Sequence, residues 1–189
     1  MFLNAFGILC IVSTLSVRFI FPQWSLEGHS FWILRLSPVP LKKIFLEKLF
    51  VSSFFFMPLC LILILSSNIM LQVEGFFFYF TVCLVVVGCF TLTTISLSLG
   101  AYFADFKTTY YLKAVESLGG FLNLAFNLGY LTLSVFIFFL IAHFSLTGKI
   151  AIDLNKTLLI SGMIWAVFSL VICVSASYLG FKALIKKEL

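Results

Sequence analysis

The chain has 189 residues, of which 62% are hydrophobic and only 10% charged, and it carries a net charge of +5. Globular domains carry about 45–50% apolar and about 25% charged residues, so this composition excludes a soluble core and indicates an integral membrane protein. The basic excess would suggest nucleic acid in a soluble protein. Here it sits in loops between apolar runs, where orientation in the bilayer explains it, so lipid and not nucleic acid is the expected surroundings.

Residues 1–17 form the first apolar run, with no Lys or Arg before Arg18. A signal peptide would open on a basic region and close on a small-residue cleavage site, so the run reads as a membrane span without its outer flank. That raises the expectation that Met1 is not the ancestral start. A spanning helix needs about 20 apolar residues, and four further runs qualify, at 49–71, 76–101, 119–144 and 157–181. The expected fold is therefore all-α and polytopic: a single transmembrane domain of about five helices.

The longest polar-bearing stretch is 18–48, between the first and second spans. Ser25 can cap a short helix with Glu27 favourably placed in its first turn, and Ser37 can cap a second piece with Pro38 at its first position. From Leu41 onward Ile44, Phe45 and Leu49 share one face, and Lys42, Lys43, Glu47 and Lys48 lie largely on another. This predicts an amphipathic, interfacial entry into the second span. Trp24 and Trp32 suit the headgroup zone, where a ring keeps one polar edge wet.

Pro58 predicts a kink in the second helix, and Thr91, Thr93, Thr94, Ser96, Ser98 and Gly100 give the third a close-packing end. Asn123 and Asn127, one turn apart, can bond across a helix interface or line a polar path. In the fifth helix Gly162, Ala166, Ser169, Cys173 and Gly180 form a stripe of small side chains that predicts a close neighbour, in this chain or another. The five cysteines lie in apolar runs without a CxxC pair and read as buried small hydrophobes. Segments 18–48, 102–118 and the carboxyl-terminal tail hold ten of the twelve basic residues. The positive-inside rule then places those segments and the carboxyl terminus in the cytoplasm, and the amino terminus outside the plasma membrane.

No GxxxxGK[ST] loop, HExxH or GxSxG occurs, and the two histidines are far apart. On that ground the chain is not expected to be an enzyme, to hydrolyse ATP or to hold a metal. Nor is there a set of facing carboxylates, histidines or a nucleophile–base pair for intramembrane catalysis.

Arg18-Phe19, Pro22, Ser25-Leu26-Glu27-Gly28, Phe31-Trp32, Leu34-Arg35, Pro38 and Leu41 resemble a phrase found in ATP-binding-cassette exporter permeases of bacteria. Gly100, Asp105-Phe106 and Gly119-Gly120 resemble a second phrase of the same family, with Ala104 in place of its proline and Tyr110-Tyr111 in place of an Asn-Pro pair. The likeness covers residues 18–130 and implies a longer permease of which this chain is the carboxyl-terminal part. It implies a permease subunit of an ATP-driven exporter, with ATP and Mg on a separate ATPase partner, and further permease helices or a second copy alongside. Arg18, Pro22, Glu27, Gly28, Trp32, Arg35 and Asp105 then become candidates for the segment that couples to the ATPase. A non-transporting scaffold or a truncated permease remnant is the alternative. Neither reading specifies a substrate.

Overall fold

The computed structural model describes residues 2–30, 36, 39–73, 75–104, 115–146 and 154–186. Among them the chain is helical without strands, and five helices are long and apolar enough to cross a membrane. These are α1 (Phe2–Phe19), α2 (Leu41–Met70), α3 (Phe76–Phe103), α4 (Leu118–Leu146) and α5 (Leu154–Lys186). Two short 3₁₀ turns, Phe21–Gln23 and Ser25–Ser30, follow α1.

The helices run past the boundaries that hydropathy suggested. The largest difference is α2, a 30-residue helix about 45 Å long at 1.5 Å per residue. A hydrocarbon layer is about 30 Å thick, so the amphipathic piece from Leu41 is the first turns of the spanning helix itself, standing beyond the apolar layer. Its N-cap is Pro40, in extended conformation and with no side-chain cap, where a helix start at Ser37 had been expected; Ser37 and Pro38 lie outside the described residues. Pro58 sits inside α2, which continues through it.

α3 is the hub, packing against each of the other four helices. Its sequence explains why. Thr91, Thr93, Thr94, Ser96, Ser98, Gly100 and Ala101 are all buried, and small side chains let helix backbones approach where lipid removes the hydrophobic drive. The threonine hydroxyls return to their own helix, Thr91 to the Val87 carbonyl and Thr93 and Thr94 to that of Phe90, each at 2.8 Å. They are thereby satisfied without water.

α2 and α3 form a hairpin. Gln72 and Gly75 turn the chain with positive φ (50° and 66°), and the buried Asn68 amide donates to the Thr81 hydroxyl at 2.9 Å across it. The core has two parts. Ala5, Leu9, Val12, Ile64, Val85, Leu92 and Leu131 fill the middle of the bundle. Ile20, Trp24, Phe45, Leu49, Leu97 and Leu184 fill the end where α1 and α3 finish and α2 begins. The outward faces carry exposed Phe54, Phe55, Ile62, Phe126, Phe136 and Val174, an apolar girdle suited to lipid. Cys60, Cys89 and Cys173 are buried, but Cys10 is only partly buried and Cys83 lies on the exposed face, so the expectation of five buried thiols is corrected at those two.

Candidate functional site: a clamp and a polar seam

The segment after α1 packs against α1 and α3 through its first 3₁₀ turn. It folds back and wedges into the bundle end. Arg18, in the last turn of α1, puts a positive charge at a helix C-terminus, where the dipole favours it. Phe21 and Pro22 are buried in the turn that follows, against a notch in α3. The notch is Gly100: a Cβ there would collide with the Phe21 carbonyl oxygen. Gly119 of α4 closes the same point, its missing Cβ lying 2.9 Å from the Phe21 ring.

Trp24 is fully buried, which corrects its expected place in the headgroup zone. Its ring stacks on Phe45 (centroids 6.0 Å apart, planes at 16°), and the Lys48 ammonium stands 4.7 Å from the indole centroid. Lys48 also pairs with Glu27 at 2.5 Å, with the two side chains 22% and 20% exposed. One turn along α2, the Ser52 hydroxyl donates to Gln23 Oε1 at 3.1 Å. Phe45, Lys48 and Ser52 recur at spacings of three and four, the neighbours of one helix face, and together they hold the Gln23–Glu27 strap. A cation over an aromatic face contributes about 0.5–2 kcal/mol, depending on how dry it is. The result is a clamp between the end of α1 and the start of α2. Gly28 lies within the second 3₁₀ turn. Trp32, Arg35 and Asp105 lie outside the described residues.

The second constellation is inside the bundle. The Asn127 amide of α4 donates to Ser16 Oγ of α1 at 3.2 Å and to Ser96 Oγ of α3 at 3.0 Å. Ser96 donates to Ser16 at 2.9 Å, and Ser16 donates back to the Ser13 carbonyl at 2.8 Å. Three helices are thus tied by one amide. Asn123, a turn away, is fully buried, yet neither of its amide atoms has a hydrogen-bond partner among the described residues.

The small stripe of α5 meets neighbours within this chain. A Cβ at Gly162 would press on the Phe80 ring at 2.7 Å, and one at Gly180 would come 2.9 Å from Ser98 Cα. Ser169 and the Tyr130 hydroxyl share a hydrogen bond at 2.8 Å. Ala166 is half-buried and Cys173 buried along the same side.

Sequence reasoning found the strap but missed its receptor. Phe45 and Lys48 read as opposite faces of an interfacial helix, because nothing local reveals that a tryptophan will enter between them. The usable signal was the pairing of an aromatic residue and a cation at i,i+3 opposite a Trp-x-x-Glu.

The family described as "Putative ATP-binding cassette" matches residues 1–188. No curated protein and no solved structure matches. The family match overturns several expectations drawn from the sequence. It points to an ATP-binding cassette where the resemblance had implied an exporter permease subunit, and it does not support the scaffold or remnant reading either. It likewise overturns the expectations that the chain is not an enzyme and that ATP and Mg belong only to a partner. The weak step was reasoning from an absence. A missing GxxxxGK[ST] excludes one type of phosphate loop, not an ATP-binding-cassette assignment that spans the whole chain.

Proposed function

Because the chain belongs to this ATP-binding-cassette family, we propose that it works as a membrane-embedded member of an ATP-binding-cassette system, powered by ATP with Mg. The observation that carries the reading is the extent of the family match, which runs through all five helices. The membrane and other parts of the same system are its partners, and the clamp end of the bundle is where those parts meet it. That end bears Arg18, Lys42, Lys43, Lys48 and Lys182, the charge that faces the cytoplasm under the positive-inside rule.

The test uses native membranes and the purified chain in nanodiscs. A cysteine at Gln23 reports on the clamp through its maleimide labelling rate, and a photoreactive azido-ATP marks the polypeptide that holds nucleotide. The expected result is a labelling rate that changes with Mg-ATP, together with azido-ATP capture by this chain. An unchanged rate with no captured chain overturns the proposal.

A further inference from the structure

α4 contains a short tandem repeat, Asn123-Leu124-Ala125-Phe126 followed by Asn127-Leu128-Gly129-Tyr130. Four residues are slightly more than one helical turn, or about 6 Å of rise. A slide of α4 by one repeat therefore replaces asparagine by asparagine, leucine by leucine and an aromatic ring by another of nearly the same shape.

The neighbours of α4 run antiparallel to it. Gly119 lies against Phe21 and Phe103, Asn127 against Ser16 and Ser96, and Tyr130 against Ser169, while Phe138 contacts Phe80 and Trp165. Rising numbers on α4 thus meet falling numbers on α1, α3 and α5, so the three neighbours form one antiparallel track. Along that track, one turn beyond Ser16 is Ser13, whose buried hydroxyl has no partner among the described residues. One turn beyond Ser169 is Trp165, whose buried indole N–H also has none among the described residues. One turn behind Asn127 is Asn123, with both amide atoms unpaired among the described residues. A buried polar group without a partner costs about 1–3 kcal/mol, and such groups are uncommon in folded proteins. Here the orphans lie one turn from paired groups, all in the sense that a single slide would serve.

We propose that α4 has two registers against α1, α3 and α5, separated by one Asn-Leu-x-aromatic repeat. In the structure Asn127 occupies the Ser16–Ser96 seat. In the second register Asn123 takes that seat, Asn127 moves up to Ser13, Tyr130 carries its hydroxyl toward the Trp165 N–H, and Phe126 fills the Tyr130 site. Among the described residues, the polar groups left unpaired in one register are the partners used in the other. One-turn ratchets of a helix past its neighbours are a known form of switching. The proposal does not depend on nucleotide.

The experiment places spin labels at exposed Leu46 of α2 and exposed Phe136 of α4, far from the seam, in a chain whose five cysteines are replaced by alanine, and measures their separation in nanodiscs by pulsed electron resonance. Asn127→Leu removes the tie of the present register and leaves Asn123 free to use the seat. It should move the population to a distance longer by up to about 6 Å. Asn123→Leu deletes an amide that is unpaired in the present register but required in the second. It should hold the short distance, and the double variant Asn123→Leu with Asn127→Leu should lose the long population that Asn127→Leu produced. If Asn127→Leu keeps the parent distance, or if the double variant keeps the long one, the two-register proposal is overturned.

Discussion

Alanine at Gly100 tests the notch that seats the strap. A Cβ built there collides with the Phe21 carbonyl oxygen and lies 3.1 Å from its carbon and 3.3 Å from its Cα. These are backbone atoms of a turn whose Pro22 and Trp24 are already buried, so they cannot rotate aside as a side chain would. α3 and the turn must separate instead. Overpacking of this kind costs about 1–3 kcal/mol, and a clash with backbone belongs in the upper half of that range. Alanine returns about 1 kcal/mol over glycine inside a helix, which leaves a net loss of about 1–2 kcal/mol. For a chain of this size that lowers the melting midpoint by about 2–8 °C. The assay is thermal unfolding in a single detergent, followed by circular dichroism, with Gly129→Ala as the paired control. Nothing lies within 4 Å of a Cβ at Gly129, so that variant should melt at or slightly above the parent. If Gly100→Ala does the same, the close approach of strap and α3 is refuted.

The Glu27–Lys48 pair should behave as a coupled unit. Lys48→Met, which strands a carboxylate that is four-fifths covered, should cost about 1–3 kcal/mol, and Glu27→Gln in the same background should recover part of it. A double-mutant coupling near zero would show that the pair is screened by solvent. Tyr130→Phe removes the bond to Ser169 and should cost about 0.5–1.5 kcal/mol. Ser169→Ala should add little to that loss, whereas fully additive losses would mean the two hydroxyls are not partners. A lipid-soluble maleimide should modify Cys83 well before Cys60 or Cys89, given their exposure; equal rates read by mass spectrometry would contradict the packing of α2 on α3.

The apolar runs were visible in the sequence because crossing a hydrocarbon layer demands about 20 apolar residues whatever the rest of the chain does. Their ends were less so. Leu41 to Lys48 reads as an interfacial entry to the second span, and the structure shows that it is the first turns of the one continuous helix α2. Trp24 is the clearest reversal. By type it belongs at a membrane interface, but Phe45 and Lys48 give its ring a stack and a cation inside the bundle end, and burial there outweighs the amphipathic preference. The asparagines divided in a way that spacing could not foretell, since Asn127 found two serines on two helices and Asn123 found no partner among the described residues.

Composition and periodicity by themselves determined that this chain is a bundle of membrane-length helices. They also determined that the residues after α1 are the unusual ones, and that α5 carries a face made for close contact. These follow from local chemistry: apolar length, helix-breaking prolines, small residues at three-and-four spacing. Which surfaces meet was decided only by the tertiary structure. Gly100 is a notch only because Phe21 arrives there, Lys48 is a clamp only because Trp24 and Glu27 fold back upon it, and the α5 stripe found α3 and α4 in its own chain. Each depends on groups brought together from distant parts of the chain, and no local pattern records that meeting.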